Sequence, residues 1–163
     1  MSFRIGQGWD RHPLIQGRPC ILGGVLFEDS PVGPKAHSDG DVLTHALIDA
    51  LLGAASLGDI GQLFPDTDPQ YAGFDSLKLM KKAWNLVQKK GFIFQNADCT
   101  IIAEQPKIAP ASQTMIERLA RVLGVETNTI SIKATRGEGL GPEGRGECIT
   151  AMAIVLLETG KDS

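Results

Sequence analysis

Apolar and polar residues alternate along this chain in two distinct rhythms, one of period two and one of period 3.6. Phe3 to Trp9 and Cys20 to Phe27 predict two strands, parted by a turn-rich link with Pro13, Gly17 and Pro19. Glu28 to Lys35 is rich in Pro and Gly and reads as a loop. A helix then starts at Asp39 or Asp41, either of which can cap the first free amides, and runs to about Ser56. Its Val42, Leu43, Ala46, Leu47, Ala50, Leu51 and Ala54 cover most of its circumference, which predicts burial nearly all round.

Leu57 to Gly73 reads as a long functional loop, with Gly58, Gly61, Pro65 and Pro69 among Asp59, Asp66 and Asp68. A second helix spans Asp75 to about Lys90, its apolar face Leu77, Met80, Trp84 and Val87, its stop Gly91. A strand from Phe92 to Ala103, a helix from about Ala111 to Leu123, and strands over Thr129 to Ala134 and Glu147 to Leu156 complete the order β-β-α-α-β-α-β-β. This order predicts an α+β fold, a mixed sheet with helices packed on one face.

Composition narrows the class. A chain of 163 residues, 42% hydrophobic and 21% charged, suits one folded domain over 1–163, with a flexible tail at about 159–163. A net charge of −3 argues against nucleic acid or a membrane surface as partner, so an anionic substrate must be held by local groups or metals. The start shows no signal-peptide pattern and no apolar run reaches the length of a membrane span, so the expected location is the cytoplasm. Cys20, Cys99 and Cys148 are odd in number, far apart and set in apolar stretches, which predicts buried reduced thiols.

One constellation carries chemistry. Asp10 and His12 are two apart in a segment leaving a strand, so both side chains point to one face. His45 is one of few polar residues in the apolar helix, and burying an imidazole there costs free energy unless it has a partner. Asp41 and Asp49, four residues to either side, are candidates to orient its ring. Two histidines and a carboxylate form a catalytic zinc set with a fourth position open. The same spacing also suits a core histidine bonded to a backbone carbonyl beside an unrelated Asp-x-His.

The surrounding strings add to this. Ala36-His37-Ser38-Asp39-Gly40-Asp41-Val42, His45-Ala46-Leu47, Leu57-Gly58-Asp59-Ile60-Gly61 and Leu63-Phe64-Pro65-Asp66-Thr67-Asp68 resemble the 2-C-methyl-D-erythritol 2,4-cyclodiphosphate synthase family of non-mevalonate isoprenoid biosynthesis. Arg4-Ile5-Gly6, Thr100-Ile101-Ile102-Ala103 with Pro106-Lys107, Lys133-Ala134-Thr135 and Gly144-Arg145-Gly146-Glu147 extend the resemblance over nearly the whole chain.

The resemblance implies a lyase that closes a cyclic diphosphate and releases CMP. It further implies a ferredoxin-like or chorismate-mutase-like sandwich assembled as a homotrimer, with active sites between subunits. Zinc ligation falls on Asp10, His12 and His45, and a second divalent ion, magnesium or manganese, on Glu138. Phosphate contacts fall on His37 and Ser38, with His37 stabilising developing charge. The methylerythritol pocket falls on Asp59, Gly61 and Phe64 to Asp68, including Pro65, Asp66 and Thr67. The CMP pocket falls on Ala103, Pro106, Lys107, Ile108 and Ala109, with Ala134 and Thr135 beside it.

Arg145 and Glu147 match the lining of an axial cavity that can hold an isoprenoid diphosphate. Arg136 stands where the family usually carries a small polar residue as phosphate contact and transition-state stabiliser; an arginine there can bond the same phosphate. Gly141-Pro142-Glu143-Gly144 also lacks the aromatic often seen in that turn. Two other functions fit the same residues: a metal phosphohydrolase, and a non-catalytic nucleotide- or isoprenoid-binding trimer.

Overall fold

The computed structural model describes residues 2–65 and 67–160. A five-stranded mixed sheet is its frame, built from β1 (Phe3–Gln16), β4 (Val32–Pro34), β5 (Phe92–Ile102), β6 (Ile130–Thr135) and β7 (Cys148–Thr159) in the order β4-β1-β7-β5-β6. β7 lies at the centre, antiparallel to both β1 and β5, while β5 and β6 run parallel across the helix that joins them. The α+β expectation holds, and three boundaries differ from it. β1 continues through Pro13 to Gln16, so Asp10 and His12 lie within the strand. Cys20 to Phe27 is a hairpin of two-residue strands, β2 (Ile21–Leu22) and β3 (Val25–Leu26), turning at Gly23 and Gly24 with φ of 54° and 72°. The Gly23-Gly24 pair is the local signal of that turn, which a reading of apolar periodicity alone passes over. Glu28 to Lys35 holds β4, which pairs with Leu14 to Gln16 at the sheet edge.

The apolar helix is α1 (Val42–Ala54), and Asp41 is its cap. The Asp41 carboxylate is fully buried and accepts from Thr44 N at 3.0 Å, Thr44 Oγ1 at 2.7 Å, Gly23 N at 2.9 Å and Gly24 N at 2.7 Å. It therefore fastens the β2–β3 hairpin to the helix start. Burial pushes its pKa up, helped by the Asp39 charge, while the hydrogen bonds from Thr44 and Gly24 oppose that shift.

α1 lies directly against the sheet because Gly6 and Gly8 offer no side chains on that face. A Cβ on Gly8 would sit 1.7 Å from Ala46 O, and one on Gly6 would sit 1.9 Å from Ala50 O. Leu43, Leu47 and Leu51 are fully buried in this layer, each stabilising by about 1.5–3 kcal/mol relative to exposure.

α2 (Ile60–Leu63) is a single turn inside the long loop. α3 (Ser76–Lys89) and α4 (Ser112–Leu123) complete the helical layer, and Trp84 Nε1 donates to Leu123 O at 2.8 Å between them. A last turn, α5 (Gly141–Gly144), precedes β7. Thr159, at the start of the expected tail, is paired with Phe92 in β7; residues 161–163 lie outside the described residues. The sheet face away from the helices carries Ile5, Trp9 and Ile154, which are 72%, 50% and 46% exposed. All three thiols are free and buried, as expected. Among the described residues, no helix is long and apolar enough to cross a membrane.

Candidate metal centre and nucleotide cavity

β1 alternates across the sheet: Gly6, Gly8, Asp10 and His12 face the helices, while Trp9 and Arg11 face the other way. The glycines bring α1 close enough for His45 to meet the two β1 ligands. His12 Nε2 and His45 Nδ1 each lie 3.0 Å from Asp10 Oδ2, and 3.4 Å from each other. Tetrahedral zinc with ligand bonds of about 2.0–2.1 Å requires donor separations of roughly 3.3 Å. The triangle fits that requirement, and its donor set of two nitrogens and one carboxylate is one zinc takes in catalytic sites. Burial would raise the Asp10 pKa, but hydrogen bonds and charge from His12 and His45 outweigh it and hold the carboxyl well below its ordinary range. Burial opposes the charged form of His45 as well, yet Asp10 raises its pKa overall.

The partner of His45 is neither Asp41 nor Asp49. Asp41 is engaged as the cap, and Asp49 accepts from Ile60 N at 2.8 Å. Instead, His45 Nε2 lies 2.8 Å from Ser76 Oγ and 3.2 Å from Ser38 Oγ. Ser76 donates its own hydroxyl to Asp39 Oδ1, and its backbone N–H donates to Asp39 Oδ2 at 2.8 Å. With its proton committed to Asp39, Ser76 Oγ accepts from Nε2–H, so Nδ1 is the nitrogen that faces Asp10 and His12 and can offer its lone pair once a cation displaces the proton it shares with Asp10. The Asp39–Ser76 pair therefore selects the tautomer a metal ligand needs. Sequence reading missed Ser76 because it is 31 residues from His45 and looks like an ordinary first residue of α3. The nearest signal was Asp39, two before the cap.

A cavity of about 320 Å³ opens over this centre, lined by Asp10, His12, His37, Ser38, His45, Gly61 and Phe64 among others. These are seven of the residues expected to surround the metal and sugar. Asp59, Pro65, Thr67 and Asp68 are outside its lining, and Asp66 lies outside the described residues. Asp59 caps α2 and binds Gln62, and Asp68 caps the turn at Pro69 and binds Gln70, so both carboxylates serve local turns here.

A second, larger cavity of about 1130 Å³ gathers Ala103, Pro106, Lys107, Ile108, Ala109, Ala134, Thr135 and Arg136 with Leu26 to Ser30. It lies at the ends of the parallel strands β5 and β6, where loops leave side by side. Arg136 donates through Nε at 3.0 Å and Nη2 at 2.7 Å to Glu104 Oε2. Glu138 is exposed and outside the lining, and Arg145 pairs with Glu147 away from both cavities.

The two cavities share no lining residue. Asp10 is opposite Ala151, Ala151 opposite Ile101, and Ile101 opposite Ala134, so three strand spacings of about 4.8 Å place Asp10 roughly 15 Å from β6, beside the larger cavity.

Arg11, between the two β1 ligands, donates from Nε to Thr150 Oγ1 at 3.0 Å and from Nη2 to Glu143 Oε1, and it stacks over Trp9 at 4.9 Å. Thr150 Oγ1 donates to the same Glu143 oxygen at 2.7 Å. This network ties the metal strand to α5.

Residues 3–158 match the YgbB family. The chain belongs to that family. A 2-C-methyl-D-erythritol 2,4-cyclodiphosphate synthase of Synechococcus elongatus is 55% identical, covering 95% of this chain and 96% of the relative. A solved 2C-methyl-D-erythritol-2,4-cyclodiphosphate synthase in a CDP-bound form superposes with a TM-score of 0.87 at 41% identity, covering 95% of this chain and all of that one. The bifunctional IspDF of Campylobacter jejuni superposes with a TM-score of 0.93 at 41% identity over 97% of this chain, which spans 42% of that longer protein. In the structure Asp10, His12 and His45 converge as one group able to hold a metal ion, so Asp-x-His and the helix histidine are not independent of each other.

Proposed function

We propose that this chain is a lyase that cyclises 4-diphosphocytidyl-2-C-methyl-D-erythritol 2-phosphate to 2-C-methyl-D-erythritol 2,4-cyclodiphosphate and releases CMP. The observation that carries the reading is the Asp10, His12 and His45 triangle, sharing one cavity with His37 and Ser38 in a chain 55% identical to a synthase of that name. The 2-phosphate oxygen attacks the β-phosphorus, the phosphorus–oxygen bond to CMP breaks, and CMP leaves with the electron pair. Nucleophile and target share one molecule, so holding the substrate folded supplies much of the rate.

Asp10, His12 and His45 would hold zinc, which would supply Lewis-acid chemistry at the β-phosphate when bound. His37 and Ser38 contact phosphate at the same cavity, Gly61 and Phe64 wall the sugar, and Ala103, Pro106, Lys107, Ile108 and Ala109 hold the cytidine. Thr135 and Arg136 meet the diphosphate, where the Arg136 guanidinium offsets charge on the departing CMP. Glu138 is the ligand we assign to magnesium or manganese with the substrate diphosphate, since hard cations take a carboxylate beside phosphate oxygens.

We assign residues 1–163 to one domain of ferredoxin-like or chorismate-mutase-like sandwich form, working as a cytoplasmic homotrimer. Two observations support the assembly. Ile5, Trp9 and Ile154 form an open apolar sheet face suited to burial between copies. The metal cavity and the nucleotide cavity share no residue, as suits a site whose halves come from neighbouring subunits. An isoprenoid diphosphate on the axis, near Arg145, is the further ligand this assembly accommodates.

Turnover of the cytidine substrate with magnesium tests the reading. Cyclic diphosphate and CMP in equal amounts are expected. A linear phosphate product would instead identify a metal phosphohydrolase. No turnover in the wild type, with activity gained in Arg136→Thr, would identify a non-catalytic binding trimer.

A further inference from the structure

The loop after β6 is shaped by close backbone packing. A Cβ on Gly137 would sit 2.3 Å from Gly144 N, and one on Gly144 would sit 2.7 Å from Gly139 C, so the loop folds back on itself with no room for side chains there. Between those glycines stands Glu138 with φ of 53°, a left-handed backbone that favours glycine. One partner meets this strained residue: Glu138 N donates to Glu104 Oε1 at 3.0 Å. The other oxygen of the same carboxylate accepts both Nε and Nη2 of Arg136.

Glu104 is the residue after Ala103, whose N–H donates to Thr135 O at 3.1 Å where β5 and β6 end together. It therefore stands at the junction of the nucleotide-side segment 103–109 and the loop 135–138, and its side chain is only 17% exposed. Its bonds occupy the Nε and Nη2 edge of Arg136 and leave Nη1 without a protein partner among the described residues. The Arg136 hydrogen bond, followed by its charge, holds the Glu104 carboxyl below its ordinary range.

We propose that Glu104 is a positioning residue for the reaction, which aims the free Nη1 edge of Arg136 at the substrate diphosphate and fixes the backbone from which Glu138 reaches its cation. Its ion pair thus fixes an arginine at the position where the resemblance leads to the expectation of a small polar side chain. It also connects the segment that reads the nucleotide to the loop that meets the phosphates. The inference rests on the assignment of Glu138 as a cation ligand, and the experiment separates the two.

Glu104→Ala, Glu104→Gln and Glu138→Gln are compared with the wild type for hydrogen exchange of residues 136–140, kcat, magnesium half-saturation and CMP affinity. In Glu104→Ala, exchange speeds up, kcat falls about tenfold or more and magnesium half-saturation rises, with CMP affinity held within about twofold. Glu104→Gln keeps an acceptor for Glu138 N and restores slow exchange, but lacks the charge that orients Arg136 and recovers kcat only in part. Wild-type exchange in Glu104→Ala overturns the proposal, as does wild-type kcat with fast exchange. If Glu138→Gln keeps the wild-type magnesium half-saturation, the cation assignment of Glu138 fails, and the role of Glu104 is then decided by exchange and kcat alone.

Discussion

The metal centre and the loop after β6 solve opposite problems. At the centre, three ligands stand on a long central-sheet strand and a buried helix, and each is held by atoms in the interior. His45 is nine-tenths buried, its ring fixed by Ser76 and through it by Asp39. At the loop, Arg136 and Glu138 are exposed, and one partly exposed carboxylate, Glu104, orders both. A site that must hold a metal before substrate arrives gains from rigidity built into the core. On our proposal the loop side admits a nucleotide and releases CMP, which requires it to open, and its order rests on a few polar bonds.

Changes at the centre should therefore remove metal or fold, and changes at the loop should alter turnover alone. His45→Ala carries the largest effect: bound zinc and turnover both vanish, as read by metal analysis of the purified protein. Stoichiometric zinc in that variant would break the comparison at its stronger end.

Gly8→Ala comes next, because its methyl would meet the Ala46 carbonyl at 1.7 Å. Overpacking there should cost about 3 kcal/mol and push His45 away from Asp10, lowering the unfolding midpoint and the zinc content together. Unchanged zinc binding would show that α1 can shift without moving the ligand.

Ser76→Ala sharpens the tautomer argument. Zinc affinity should fall about 10–100-fold in chelator competition while the protein stays folded, the effect of losing the hydrogen bond that orients a ligand. Full affinity would mean that Ser38, 3.2 Å away, suffices to orient the ring.

The smallest effect is on the alkaline side. Burial pushes Cys99 up to about 12 and Cys20 up to about 11. The folded state therefore keeps protons that the unfolded thiols release above about pH 9, so stability falls as pH rises from about 9 toward 11. Chemical denaturation across that range should show the decline, steeper than in a Cys20→Ala, Cys99→Ala double variant. In the folded protein, both thiols should resist alkylation at pH 8.

Much of this was legible in the chain. The helical rhythm from Val42 to Ala54, the cap at Asp41 and the stop at Gly91 are local signals, set by side-chain spacing and backbone freedom within a few residues. Strings such as Ala36 to Val42 pointed to the ligands because family spacing carries information that Asp-x-His alone lacks. The hairpin at Gly23 and Gly24 was legible in that glycine pair, but the apolar residues on both sides read as one continuous strand. Asp41 and Asp49 were plausible partners for His45 by helical spacing, yet hydrogen bonds to Gly23, Gly24 and Ile60 claim them. Asp59 and Asp68, expected at the sugar pocket from the resemblance, serve as caps of local turns in the structure.

The amino-acid sequence by itself determined which residues can bind metal, where the helices run and which family the chain belongs to. Only the tertiary structure decided that Ser76 and Asp39 orient His45, that Gly6 and Gly8 let a helix reach the metal strand, and that Glu104 holds Arg136 and Glu138. The division has one physical cause. Spacing along a chain fixes which face a residue occupies, but the partners of a buried polar group are chosen by whatever packing brings within hydrogen-bond reach, however far apart in sequence.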